Sequence, residues 1–172
     1  EGNLIIEADK TVLKGNGTQA GNILITGDLE NEVNIYSGND INIGKGLLNK
    51  SGQIVSERNL SVNGKIDNKD LLYAKGSITV GKELNNTGNI QSNGSIRTGG
   101  NATNTGKILS EDKLEINGKL TSSGTVYGKN KVDIKGELSN SGDIQSEGDI
   151  KAGDTKNTRR ISSDKNIEIS GN

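Results

Sequence analysis

Cysteine, histidine, proline, phenylalanine, tryptophan and methionine are all absent from this 172-residue sequence. The lack of cysteine excludes disulfides and thiolate chemistry, and the lack of histidine removes the usual imidazole base and metal ligand. Three tyrosines are the whole aromatic content, so no series of side chains offers a stacking platform for nucleic-acid bases. These absences disfavour most kinds of catalytic and cofactor site.

Charge and hydropathy narrow the choice further. Charged residues make up 25% of the chain, but both signs are interspersed and the formal net charge is −1, so no basic patch indicates a nucleic-acid partner. No apolar run is long enough for a transmembrane helix, and no signal peptide is recognisable. The apolar residues, 28% of the chain, are mostly Ile, Leu and Val, which suits a narrow core.

The sequence repeats with a period of about 18 residues. An aliphatic-x-aliphatic pair begins each unit, and successive pairs start 17 to 19 residues apart: Leu4/Ile6, Ile23/Ile25, Ile41/Ile43, Leu60/Val62, Ile78/Val80, Leu114/Ile116, Val132/Ile134 and Ile167/Ile169, with weaker copies at Ile96/Thr98 and Ile150/Ala152. Regular repetition of this kind is typical of a solenoid.

Two further aliphatic columns follow the first in each unit. The second column lies six residues on: Leu29, Leu47, Ile66, Leu84, Ala102, Leu120 and Leu138. The third lies twelve or thirteen residues on: Ile35, Ile54, Leu72, Ile90, Ile108, Val126 and Ile144. Each unit therefore has three short segments with the alternation of strands, separated by glycines that permit tight corners. The prediction is an all-β, parallel β-helix of about nine triangular coils, roughly 40–45 Å long.

Asparagine recurs eight residues after the start of most units. The column contains Asn31, Asn49, Asn68, Asn86, Asn104 and Asn140, with Ser122 replacing asparagine once. Stacked amides about 4.8 Å apart can hydrogen-bond from coil to coil, so we interpret this column as a structural ladder.

Three units read ITVGKELNNTGNIQSNGS, IRTGGNATNTGKILSEDK and VDIKGELSNSGDIQSEGD. Their pattern resembles the haemagglutinin repeat of filamentous-haemagglutinin-type exoproteins, which include contact-dependent growth-inhibition effectors. The resemblance implies a right-handed β-helix, export by two-partner secretion through an outer-membrane transporter, and a bacterial cell-surface or secreted location. It also implies a stalk that presents an adhesive or toxic region to a host or bacterial receptor. The six-residue spacing within a coil is equally compatible with left-handed hexapeptide helices.

The functional prediction is a structural shaft or spacer, with no enzyme activity and no cofactor. A receptor- or glycan-binding face is the alternative, and a carbohydrate-active β-helix is the remote one. For the latter, stacking places Arg97, Glu115, Asp133 and Lys151 in one outward column, where the two acids would be neighbours. The flanking cations favour a solvated charge ladder there, so we predict no catalytic residue and no metal ligand.

All three tyrosines follow a third-column aliphatic residue directly. Tyr36, Val55, Tyr73, Leu109 and Tyr127 would therefore share one outward stripe. Cross-strand packing is the simple explanation of such a stripe, and contact with a glycan, a neighbouring shaft or a host protein is the functional one.

One array of repeats spans residues 1–172 and is expected to be part of a longer shaft, with neighbouring coils of the parent chain at both ends. The repeats are regular over 23–149. The coil at 150–166 is a residue short, has Lys156 where an aliphatic residue is expected, and carries Arg159 and Arg160 near a corner. We expect a local irregularity or a loosened side in that coil.

Overall fold

The computed structural model describes residues 2–171, and all regular secondary structure in that range is β-strand. The first coils contain β1 (Leu4–Ile6), β2 (Lys10–Leu13), β3 (Thr18–Ala20), β4 (Ile23–Ile25), β5 (Asp28–Asn31), β6 (Ile35–Ser37), β7 (Ile41–Ile43), β8 (Leu47–Asn49) and β9 (Ile54–Ser56). The middle coils contain β10 (Leu60–Val62), β11 (Ile66–Asn68), β12 (Leu71–Ala74), β13 (Ile78–Val80), β14 (Leu84–Asn86), β15 (Asn89–Ser92), β16 (Ile96–Thr98), β17 (Ala102–Asn104) and β18 (Lys107–Ser110). The last coils contain β19 (Lys113–Ile116), β20 (Leu120–Ser122), β21 (Thr125–Gly128), β22 (Lys131–Ile134), β23 (Leu138–Asn140), β24 (Asp143–Ser146), β25 (Asp149–Ala152), β26 (Thr155–Asn157), β27 (Arg160–Ser163) and β28 (Ile167–Ile169).

Every third strand along the chain belongs to the same parallel sheet. Sheet 1 runs from β1 through β4 and β7 to β28 and has ten strands. Sheet 2 runs from β2 to β26 and sheet 3 from β3 to β27, with nine strands each. Because the chain visits the three sheets once per turn, the fold is a three-sided β-solenoid of nine coils with one further strand.

The three predicted columns form the core. In sheet 1, for example, Leu60 pairs in register with Ile78, and Ile78 with Ile96. Side chains alternate between inside and outside along the strands, so both ends of a three-residue strand such as β7 or β13 are buried while its middle residue faces outward. The stacked aliphatic side chains fill the narrow interior from Ile23 to Ile150. A coil supplies few apolar residues, so stability depends on contact with neighbouring coils.

Differences in coil length are absorbed at the corners. In the coil that starts at Ile23, the corner between sheets 2 and 3 has three residues, 32–34. The coil that starts at Ile41 has four residues at that corner, 50–53, and the first coil also has four, 14–17. Both longer corners contain a glycine with positive φ, 82° at Gly52 and 91° at Gly15. The extra residue therefore needs a left-handed backbone conformation that glycine adopts without strain.

Many of the other corner glycines lie where the backbones of neighbouring coils approach closely. Their φ angles are not positive, so the corner does not need a left-handed turn. A Cβ at Gly106 would collide with the carbonyl oxygen of Gly88, and one at Gly124 with that of Gly106. Glycine recurs at these positions because the backbones of successive coils approach closely there.

The prediction that Lys156 occupies the inward, aliphatic position of its coil is wrong. The corner before β26 has two residues, Gly153 and Asp154, instead of three, so the register moves by one residue. Thr155 pairs with Leu138 and takes the inward position, while Lys156 pairs with Ser139 and is exposed. The lysine therefore stays in water, and a threonine takes the place of the aliphatic residue in the inward column.

The all-β class, the three-sided solenoid and the period are confirmed. The right-handed sense of winding stays a prediction.

Candidate contact surface

The predicted stripe residues do form one column on sheet 3. Tyr36 pairs with Val55, Val55 with Tyr73, and Leu109 with Tyr127. Gln91 lies between Tyr73 and Leu109. Tyr36 is the most accessible, with 36% of its surface exposed, and the other four stripe residues are half-buried. The structure therefore brings all five predicted residues together in one outward row.

Carboxylates hold the hydroxyl groups of two stripe tyrosines. The Tyr127 hydroxyl donates to Oε1 of Glu147 at 2.8 Å, and this hydrogen bond raises the pKa of Tyr127 to about 12. Glu57 interacts with Lys75 and also with Tyr36, and both contacts lower the pKa of the Glu57 carboxyl. The ring faces supply apolar contact area, while the hydroxyls are restrained at the edge of the stripe.

The outward column proposed for a carboxylate pair is also formed. Arg97, Glu115, Asp133 and Lys151 follow one another in register on sheet 1. Nζ of Lys131 and Nζ of Lys135 lie 2.5 and 2.8 Å from Oδ2 of Asp133. Burial raises the pKa of Asp133, but the hydrogen bonds from both lysines outweigh burial, so this pKa lies below its usual range.

Glu115 faces Arg97 at 3.8 Å, and Lys151 pairs with Glu168 at 2.5 Å. Each acid in this column thus has a cation as neighbour. The arrangement is a charge ladder, in which the two lysines beside Asp133 favour its ionised form.

A second charge ladder crosses the early coils of sheet 2. Glu30 accepts hydrogen bonds from Lys50 and Lys10, which hold its pKa at about 2 instead of 4.5. Glu32 pairs with Lys14 and with Lys50, at 3.5 and 3.3 Å. These pairs join residues of successive coils and stiffen the outer surface modestly, because exposed ion pairs contribute little each.

The predicted asparagine ladder exists and lies inside the solenoid. Nδ2 of each asparagine donates to Oδ1 of the next, over 2.9 Å from Asn31 to Asn49, from Asn49 to Asn68 and from Asn68 to Asn86, and over 2.8 Å from Asn86 to Asn104. All six predicted members are buried. Ser122 accepts from Asn104 at 3.3 Å but directs its own hydroxyl to Gly124, so the ladder is interrupted there. Asn140 resumes it by donating to Asn157, a member that the sequence reading missed.

A second polar column, before most strands of sheet 1, was also missed. The backbone N–H of Asn22 donates to Oδ1 of Asn3, that of Asn59 to Oδ1 of Asp40, and that of Ser77 to Oδ1 of Asn59. The signal was present in the repeat, since Asn, Asp or Ser recurs one residue before the first aliphatic position. These side chains pair backbone groups that the corner leaves free.

The described residues contain no group of three or more acidic side chains that could hold a metal ion. In residues 2–171 no helix is long and apolar enough to cross a lipid bilayer.

No family model, curated protein or solved structure matches the chain. The geometry itself defines the class: a three-sheet β-solenoid with one internal asparagine ladder, a polar column at the exposed corners before sheet 1, and an aromatic stripe on one face.

Proposed function

We propose that this chain is a shaft segment of a large secreted bacterial surface exoprotein, exported through an outer-membrane two-partner secretion transporter. Its role is to hold an adhesive or toxic region away from the cell. The observation that carries this proposal is the continuous register of the coils, since parallel pairing links every coil to the next from β1 to β28. The haemagglutinin-like repeat pattern supports the bacterial surface assignment.

Continuous pairing makes a rod whose length is proportional to the number of coils, at about 4.8 Å per coil. Cross-coil ion pairs and the internal asparagine ladder oppose bending, because each joins neighbouring turns at fixed spacing. A rigid rod of adjustable length is what a spacer requires.

The spacer role can be tested by deleting one complete coil, residues 78–95, within the full-length exoprotein on cells. The deletion preserves the register because it removes a whole turn. We expect normal export and receptor contact, with the distal end moved inward by about 4.8 Å. If deletion of one coil abolished receptor contact as completely as removal of the whole segment does, the spacer role would be contradicted. Export that persists without the transporter would contradict two-partner secretion.

The second candidate function is direct binding of a receptor or glycan by the sheet 3 stripe. It is favoured by the single row of Tyr36, Val55, Tyr73, Leu109 and Tyr127 on sheet 3. This row contains all three tyrosines of the chain. Outward positions on sheet 2 at the same height are mainly small and polar, so the stripe is a distinct surface.

Serine at Tyr73 and Tyr127 should leave the fold intact because neither ring belongs to the core. Binding to a glycan array and to receptor-bearing cells is then measured. The matched control is alanine at Thr103 and Thr121, exposed on sheet 2. Loss of binding with the tyrosine variant alone supports the stripe, and unchanged binding contradicts it.

A further inference from the structure

Asparagine is followed by glycine at four positions with different surroundings in the fold. The pairs are Asn16–Gly17, Asn63–Gly64, Asn93–Gly94 and Asn117–Gly118. In this dipeptide the glycine nitrogen can reach the asparagine side-chain carbonyl carbon with little hindrance, because glycine has no Cβ and a permissive backbone. All four asparagines are exposed to water.

At three of these pairs the glycine N–H donates a hydrogen bond to the preceding coil. Gly64 donates to the carbonyl of Lys45 at 2.8 Å, Gly94 to Gly76 at 2.9 Å, and Gly118 to Gly100 at 3.1 Å. Each bond ties the corner to the preceding coil. The nitrogen cannot attack its neighbour's side chain until this bond breaks and the corner opens, which requires a local unfolding step.

The fourth pair lacks this restraint. The Gly17 N–H donates no hydrogen bond to any residue within 2–171. It lies in the four-residue corner 14–17, beside Gly15 with its φ of 91°, and both Asn16 and Gly17 are exposed. The first interstrand bond after this corner is made by Thr18, which donates to the carbonyl of Asn34 at 2.8 Å.

We propose that Asn16 is a modification site at which the folded chain selectively deamidates. The Gly17 nitrogen forms a bond to Cγ of Asn16, and the bond from Cγ to the side-chain nitrogen breaks. Ammonia leaves with the proton that the Gly17 nitrogen gives up, and a cyclic imide remains. Water then opens the imide at either carbonyl to give aspartate or isoaspartate, with no oxidant or reductant involved.

The product changes the surface of the first coil without requiring the coil to unfold. It adds one negative charge two residues from Lys14, which pairs with Glu32 at 3.5 Å. The isoaspartate form also adds a backbone methylene to the corner. Since Gly17 contributes no intercoil hydrogen bond, the pairing of β3 with β6 is retained.

The test is incubation of the folded chain at mildly alkaline pH, followed by peptide mapping with mass spectrometry that separates aspartate from isoaspartate. We expect Asn16 to react about tenfold faster than Asn63, Asn93 or Asn117, because each of those must first lose a hydrogen bond. The same incubation in denaturant should bring all four rates close together. Asn16→Gln should remove the fast phase of ammonia release, since its longer side chain forms the cyclic imide more slowly.

Equal rates at the four sites in the folded chain would overturn the proposal. An advantage of Asn16 that persists unchanged in denaturant would also overturn it, because the cause would then be local sequence and not the fold. Circular dichroism during the incubation shows that the chain stays folded.

Discussion

The side-chain amide of Asn86 donates to Oδ1 of Asn104 in the next coil at 2.8 Å, and the same Nδ2 lies 3.0 Å from the Gly88 carbonyl and 2.9 Å from that of Lys107. One buried side chain thus connects a corner of its own coil with two strands of the following coil, β17 and β18. Removing it takes the donor from Oδ1 of Asn104 and removes one hydrogen bond from each of the Gly88 and Lys107 carbonyls.

We predict that Asn86→Ala lowers the free energy of unfolding by about 2–3 kcal/mol, because each unsatisfied buried group costs roughly 1–3 kcal/mol. Urea unfolding followed by circular dichroism measures the change. The control is Asn85→Ala, whose half-buried, outward side chain donates only to Asp67 and should cost about 0.5 kcal/mol or less. Equal costs for the two variants would contradict a structural role for the ladder.

Thr98 has a fully buried hydroxyl without a hydrogen-bond partner among the described residues. It lies in register between Val80 and Ile116, where the rest of the column is aliphatic. Thr98→Val should therefore raise the free energy of unfolding by about 1 kcal/mol, since it removes an unsatisfied group at nearly constant volume.

Thr98→Ser is the matched control for that substitution. It keeps the hydroxyl and removes a buried methyl group, so stability should fall by about 1 kcal/mol. A valine variant no more stable than the parent chain in the same urea titration would show that the hydroxyl is satisfied in solution.

Gly52 provides a test of how the solenoid accepts a longer coil. Its φ of 82° is unfavourable for alanine, and an added Cβ would collide with the Val33 carbonyl. Gly52→Ala should lower the free energy of unfolding by about 1–3 kcal/mol. Gly46→Ala should cost less, because its φ is not positive and its Cβ would meet the movable Asp28 carboxylate at 3.0 Å. The reverse order in thermal or urea unfolding would contradict the assigned corner geometry.

Acid should weaken the ladder centred on Glu30. Its folded-state pKa of about 2 lies below its ordinary value of 4.5, so its ion pairs contribute stability above pH 4.5. That contribution is lost as pH falls from about 4.5 through about 2. Melting temperature measured against pH at low salt should therefore fall less steeply in Glu30→Gln than in the parent chain.

Glu7→Gln is the control for acid sensitivity, because Glu7 forms no ion pair within residues 2–171. The change in the slope of melting temperature against pH should be larger for the Glu30 variant than for this control. High salt should reduce the difference between the Glu30 variant and the parent chain, since these charges are near the surface.

The sequence was enough to place the three aliphatic columns, the asparagine ladder from Asn31 to Asn140 and the tyrosine stripe. Each is a repeated position, and parallel pairing converts equal spacing along the chain into vertical neighbours. The strand period of two then decides which side chains face the core. These two periods are local properties, so they can be read without coordinates.

The tertiary structure decided how the irregular coils keep their register. A shorter corner before β26 moved Thr155 inward and Lys156 outward, while left-handed glycines at Gly15 and Gly52 absorbed extra residues. It also showed that corner glycines such as Gly106 and Gly124 allow the close approach of stacked backbones. Sequence spacing alone cannot locate an insertion or deletion within a corner, because the fold selects the position that keeps the aliphatic columns stacked and the backbone hydrogen bonds paired.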